Sequence, residues 1–296
     1  MSTQRCITSL LTALLLATFA FICQSVNLRA ADLSKAPGGS PPPPPAGFIW
    51  QPIPELTDEF NTMTLDAKKW QPKHPYWNGR EPSAFAPANV SVKDGMLQLR
   101  STAKVDSLNG VKDVNKDIWV ASACVTSIKP LASSGYYAAC MKASKLSMTS
   151  SFWFQGKFSE IDVAEQVGDS IKVPKHNLQM KSNTHYMPDG WETDKAIGKD
   201  YPMTTGSADA FHVYGVWWKD ENTMWMFLDG QKVGELKTGG PFKEPQYMFF
   251  DTEVFIWDGN PTIESLRDNS RNTMLVDWVR GWKLVKDPNA PTISNQ

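Results

Sequence analysis

Cysteine, histidine and net charge are all scarce in this 296-residue chain. The four histidines (His74, His176, His185 and His212) stand at no metal-ligand spacing, and no H-E-x-x-H occurs, so a zinc site is not expected. Lys+Arg 30 against Asp+Glu 31 gives a formal net charge of -1 without acidic or Lys-rich blocks, which disfavours nucleic acid as a partner. Segments of 3.6-residue period are nearly missing, with at most one turn at 263–267, and no repeat or low-complexity stretch interrupts residues 48–286. A helical bundle, a repeat array and a basic nucleic-acid domain are thereby set aside.

Indole is plentiful. Trp 12 beside Phe 14 and Tyr 7 exceeds what a core of this size needs, and flat apolar rings also suit sugar faces. The N-terminus carries Arg5, then an apolar run from about Ile7 to Cys23, then Ala30 and Ala31, the pattern of an export signal over residues 1–31. The run is short for a membrane span, and Ile22 before Cys23 is bulkier than lipid attachment allows. A secreted or periplasmic protein is expected, with no membrane attachment after cleavage. Residues 32–47, with Pro41 to Pro45 in a row, form a semi-rigid polyproline linker. Removing the leader takes Cys6 and Cys23 with it and leaves Cys124 and Cys140. Two readings stand for this pair. If residues 128–135 turn the chain back, the two sulfurs face each other as a disulfide; otherwise both are buried thiols acting as small hydrophobes.

Residues 48–290 read as one domain, followed by a short tail at 291–296. Alternation of period two dominates it. Val90, Val92, Asp94-Gly95, Leu97 and Leu99 make a hairpin, and Phe227 to Val233 makes another around Asp229-Gly230. Many short alternating segments separated by turns predict an all-β, antiparallel sandwich.

Chemistry concentrates in Phe158-Ser159-Glu160-Ile161-Asp162-Val163-Ala164-Glu165. In a regular strand Glu160 and Asp162 share a face and Glu165 points the other way. One extra residue, a β-bulge at Val163-Ala164, returns Glu165 to the same side. Three clustered acids repel, which makes sense if their pKa values are to be split. A retaining glycosidase needs an ionised carboxylate to attack the anomeric carbon and a protonated one ~5–5.5 Å away to donate to the leaving oxygen. A calcium ligand set and a solvated edge strand are the other readings, although Ile161 and Val163 do not suit a polar, Gly-rich calcium loop.

Glu160-Ile161-Asp162-Val163-Ala164-Glu165 resembles the bulged E-x-D-x-x-E signature of glycoside hydrolase family 16. The likeness runs from Asp58-Glu59-Phe60-Asn61 to Val276-Asp277-Trp278-Val279-Arg280. Trp77-Asn78-Gly79-Arg80-Glu81-Pro82-Ser83, Ser182-Asn183-Thr184-His185-Tyr186 and Phe250-Asp251-Thr252-Glu253-Val254 resemble its β-agarase and porphyranase branch.

The resemblance implies a concanavalin-like β-jelly roll with an open concave cleft for a polysaccharide. It gives Glu160 as nucleophile, Asp162 as its electrostatic helper and Glu165 as acid/base. Trp77, Arg80, Trp153, His185 and Glu253 are implied as substrate contacts, with Arg80, Lys181 and Arg267 as cations available to a sulfated polymer. No cofactor is expected for catalysis. A structural calcium on the convex side is implied at Gly95, through its carbonyl, and Asp277. The activity implied is endo-acting, retaining cleavage of β-1,4-galactosidic bonds in agar-type galactans by a monomer. Porphyranase, κ-carrageenase or laminarinase activity is the first alternative, and a non-catalytic carbohydrate-binding module the second.

Overall fold

Period-two patterning becomes strand wherever one face of each segment can be buried, as it does along most of the chain described here, residues 38–290 of a computed structural model. In chain order the first nine strands are β1 (Phe48–Pro52), β2 (Trp70–Gln71), β3 (Ser83–Phe85), β4 (Val90–Lys93), β5 (Met96–Arg100), β6 (Thr102–Ala103), β7 (Val120–Ser122), β8 (Cys124–Ser127) and β9 (Gly135–Lys142). The others are β10 (Thr149–Gln155), β11 (Ser159–Val167), β12 (Gln179–Tyr186), β13 (Lys199–Pro202), β14 (His212–Asp220), β15 (Thr223–Leu228), β16 (Gln231–Lys237), β17 (Tyr247–Asp251) and β18 (Thr273–Lys286). The leader expected at 1–31 and the tail at 291–296 lie outside the described residues.

Two antiparallel sheets carry the fold. An eight-stranded sheet runs β16-β15-β14-β9-β18-β5-β4, with β1 also paired to β18. A seven-stranded sheet runs β13-β12-β11-β10-β17-β8-β2. Both expected hairpins form, β4–β5 and β15–β16, because Asp94-Gly95 and Asp229-Gly230 accept the positive φ that a two-residue turn demands. The expected single helical turn is Ile263–Arg267, started by a capping box in which Thr262 and Ser265 satisfy each other.

The core lies between the sheets. From the seven-stranded sheet it takes Phe152, Phe154, Ile161, Val163, Ala164, Met180, Met248 and Phe250; from the eight-stranded one Tyr137, Ala139, Met141, Tyr214, Val216, Trp218 and Val279. Phe152 and Phe250 stack at 5.0 Å, a contact that adds about 0.5–1.5 kcal/mol beyond its buried area. These rings fix which residues of β10, β11 and β17 face inward, so their alternate residues must face out, where the cleft lies.

The outer face of the eight-stranded sheet has its own aromatic row. Trp225, Trp217, Tyr136 and Trp282 are successive ladder partners across β15, β14, β9 and β18. The proline-rich stretch before β1 touches this side: Trp50 Nε1 donates to the Pro42 carbonyl at 2.6 Å, and Arg280 Nη1 to the Gly39 carbonyl at 3.0 Å.

Cys124 and Cys140 are free thiols, which overturns the disulfide reading. The chain between them does not form a hairpin but crosses from one sheet to the other. Cys124 in β8 pairs with Asp251 in the seven-stranded sheet, while Cys140 in β9 pairs with Val213 and Trp278 in the eight-stranded one. Both are buried, the alternative that the sequence left open.

Candidate active site

The register of β10 against β11 slips by one residue. Phe152 stands opposite Ala164, but its neighbour Trp153 stands opposite Asp162, so Val163 has no partner. Val163 and Ala164 both turn into the core, and Glu165 thereby returns to the face of Glu160 and Asp162. Directly paired residues share a face, so Ser151, Trp153 and Gln155 lie in the same surface opposite Glu165, Asp162 and Glu160. That surface is the floor of a cleft of 1240 Å³.

The three acids differ in their partners. Gln155 Nε2 donates to Glu160 Oε2 at 2.6 Å. His185, opposite Glu160 on β12, places Nε2 3.4 Å from Asp162 Oδ2, and its Nδ1 is held by Asp194 at 2.6 Å. Burial discourages charge on this imidazole, but Asp162 and Asp194 outweigh it and raise His185 to about 9. Burial raises Asp162, against the pull of His185. Glu165 is pushed up to about 8 by burial, then by Asp162 and Glu253. Burial and then the neighbouring acids raise Glu160 as well, while the Gln155 donation opposes them. Only Glu160 of these two receives a side-chain hydrogen bond, which favours its ionised form over that of Glu165.

The other expected contacts also meet at the cleft. Trp77 and Arg80 come from the loop before β3, His185 from β12 and Glu253 from the segment after β17. Arg80 Nε binds Glu253 Oε2 at 2.6 Å, and its guanidinium lies 5.6, 5.1 and 5.8 Å from the ring centres of Trp77, Phe255 and Trp257. Trp153 reaches the floor but is 6 % exposed and stacks on Phe249 at 4.2 Å, so it offers substrate little of its ring. Of the three cations put forward for sulfate, only Arg80 lines the cleft. Lys181 is paired with Asp200 and Arg267 with Asp106, both away from it.

Gly95 and Asp277 belong to the eight-stranded sheet, in the β4–β5 turn and in a bulge of β18. Asn61 Oδ1 sits beside Gly95, and Asp277 is raised by burial and then by Glu59. Arg280 partly offsets that acid.

Some lining residues, Tyr76 and Trp191 among them, went unread in the sequence. Tyr76, Trp191 and Trp257 are the exposed rings of the cleft, at 77%, 56% and 54%. Trp191 and Trp257 sit in Gly- and Pro-containing loops, the same signal that selected Trp77. Of the other indoles, Trp218 sits in the core and Trp257 in the cleft, while Trp217 and Trp225 lie on the outer face of the opposite sheet. Gln155, His74 and Asp194 carry no local signal, since each acts through a partner distant in sequence or across a turn.

The profile of the β-porphyranase A–D group, GH16 domain, matches residues 50–284. The β-porphyranase E of Zobellia galactanivorans is 38% identical over 260 residues, covering 81% of this chain and 90% of that one. The β-porphyranase B of Phocaeicola plebeius is 36% identical over 282 residues, covering 82% and 88%. A β-agarase of Phocaeicola plebeius is 27% identical over 320 residues, covering 92% and 97%. Among solved structures, the β-porphyranase from the human gut bacterium Bacteroides plebeius superposes with a TM-score of 0.72 at 35% identity, over 83% of this chain and 95% of its own.

Proposed function

Because the chain belongs to the β-porphyranase A–D group of glycoside hydrolase family 16, we propose that it is an exported, endo-acting hydrolase that cleaves β-1,4-galactosidic bonds of porphyran-type sulfated galactans with retention. One observation carries the chemistry: the bulge at Val163 sets Glu160, Asp162 and Glu165 on one face, with a hydrogen-bond donor on the first and burial raising the last. Glu160 attacks the anomeric carbon while Glu165 protonates the leaving oxygen. A covalent glycosyl-enzyme forms, and Glu165, now a base, activates the water that releases the sugar. Asp162, tied to His185, steadies the nucleophile from the side.

The choice of polymer departs from the agar-type expectation. The relatives at 38% and 36% identity are porphyranases, and the agarase stands at 27%. Arg80 supports the same choice. Glu253 occupies its Nε, which leaves both Nη groups of this cleft-lining guanidinium without a side-chain hydrogen bond among the described residues, donors that suit a sulfate ester. The rings of Tyr76, Trp191 and Trp257 offer flat apolar faces for pyranose stacking along the cleft. Export agrees with a substrate too large to cross a membrane, and the protein is read as a monomer.

The test is hydrolysis of porphyran, agarose, κ-carrageenan and laminarin, with sizing of products and the anomer of the new end read by proton NMR. Porphyran cleaved fastest to short oligosaccharides with β-ends first is the expected result. Agarose cleaved faster overturns the polymer, and an α-anomer at first release overturns retention. Glu160→Gln and Glu165→Gln should each lower turnover by several orders of magnitude with the fold intact. At the distal site, the Gly95 carbonyl and Asp277 would hold a calcium ion that braces the β4–β5 turn against β18; a chelator that leaves Tm unchanged removes that ion from the account.

A further inference from the structure

Besides the three acids on β11, the cleft is lined by Glu244, Asp251 and Glu253, and the last two lie together. Asp251 ends β17, and Glu253 follows two positions on. Asp251 stands opposite Ser151 of β10, which on its other side stands opposite Glu165, so Glu165, Ser151 and Asp251 form one row across the sheet. Asp251 is 1% exposed, and neither of its oxygens has a hydrogen-bond donor among the described residues. The Glu253 carboxylate lies against it, itself 6% exposed and gripped by Arg80 at 2.6 Å.

Two buried carboxylates in contact cannot both be ionised at neutral pH, and the proton settles on the one that lacks a cation. Glu253 has the Arg80 guanidinium. Asp251 has none within bonding distance. We infer that Asp251 is a positioning residue for the substrate cleft: it remains a neutral carboxylic acid, turns its O–H toward the Glu253 carboxylate, and so holds the Glu253–Arg80 pair on the cleft wall.

The titratable groups that face Asp251 are Glu253 on its own segment, Glu165 from β11, Arg80 from the loop before β3 and Cys124 from β8. Burial and then Glu253 and Glu165 favour the neutral form of Asp251, and only Arg80 opposes it. A neutral Asp251 has a second consequence, because it adds no negative charge beside Glu165. The floor then carries three negative groups (Glu160, Asp162 and Glu253) against two positive ones (Arg80 and His185), with Glu165 and Asp251 protonated. What Arg80 grips rests on the proposed function; where the proton sits does not.

Two measurements test this separately. In substrate-free protein labelled with carboxyl-13C aspartate, the resonance lost in Asp251→Asn should stay at its protonated shift through neutral pH. A carboxylate shift there overturns the inference whatever polymer the enzyme cleaves. On whichever polymer is cleaved, Asp251→Ala should raise KM by about tenfold with a smaller change in kcat, and Asp251→Asn, whose amide also donates, should restore KM to within about threefold. An Asp251→Asn variant as damaged as Asp251→Ala overturns it. So does an alkaline limb of kcat/KM that moves to lower pH in Asp251→Asn, since that shift means a negative charge beside Glu165 has been removed.

Discussion

Gln155 Nε2 donates to Glu160 Oε2 at 2.6 Å, beside the buried ring of His74. Tyr76 and Trp77 both donate their backbone N–H groups to His74 Nδ1, at 3.2 and 3.1 Å, which leaves the proton on Nε2 beside Gln155. Burial, only partly offset by Gln155, holds this ring neutral, lowered to about 4. Gln155→Leu removes a hydrogen bond to a charged group, worth about 1.5–3 kcal/mol, so kcat/KM should fall roughly ten- to a hundredfold. The same loss disfavours the ionised nucleophile, so the acid limb of the pH profile should move to higher pH. An acid limb that stays in place would show that Gln155 does not tune Glu160.

Glu165 sets the other limb. Its folded-state value of about 8 lies above the ordinary 4.5, so the protonated acid that the leaving oxygen needs is present below that pH and lost above it. The stability sign follows from the same shift. An acid whose pKa is raised on folding binds more protons folded than unfolded between 4.5 and about 8, and stability therefore falls as pH climbs through that window. Glu165→Gln removes the penalty. It should be inactive yet melt higher than the parent at neutral pH, with the difference vanishing below about pH 4. Equal melting temperatures at neutral pH would place the proton elsewhere.

The buried thiols should be inert as folded and countable once unfolded. Burial raises Cys124 well above the ordinary thiol range and Cys140 to about 12, so neither offers thiolate at neutral pH. A thiol reagent should titrate both in denaturant and neither in buffer, and reductant should leave Tm unchanged. A Tm that drops on reduction would mean a bridge that joins the two sheets.

What could be read from sequence was whatever is encoded locally. Asp94-Gly95 and Asp229-Gly230 announce hairpins because a positive φ is a property of single residues. Glu160, Asp162 and Glu165 announce a site because strand alternation makes their sharing of a face a matter of counting. The Cys124–Cys140 reading failed for the complementary reason: nothing in residues 128–135 says whether the chain turns back or crosses to the other sheet, a choice made by partners such as Asp251 and Trp278 more than a hundred residues away. Arg80 and Glu253 were each picked out, but their ion pair spans 173 positions and was invisible until the fold closed.

The bulge makes a pair of predictions about chain length. Val163 and Ala164 are two consecutive core-facing residues, and Glu165 is the first to face out again. Deleting Ala164 leaves one core-facing residue between Asp162 and the glutamate, which restores plain alternation and keeps all three acids on the cleft face. It shortens the strand by about 3.3 Å, closing up the acid/base and the nucleophile. Such a variant should fold and retain measurable hydrolysis, reduced by roughly two to three orders of magnitude because an ångström-scale displacement is costly. Inserting one alanine after Val163 makes the Asp162-to-glutamate separation four, again an even number, so plain alternation keeps the glutamate on the cleft face but carries it about 3.3 Å farther from Glu160. That variant should also fold, with hydrolysis reduced at least as far, because the two carboxyls are drawn beyond the ~5–5.5 Å that retention needs. Circular dichroism and porphyran hydrolysis on the two variants decide the matter. If either variant fails to fold, the bulge does more than choose a face.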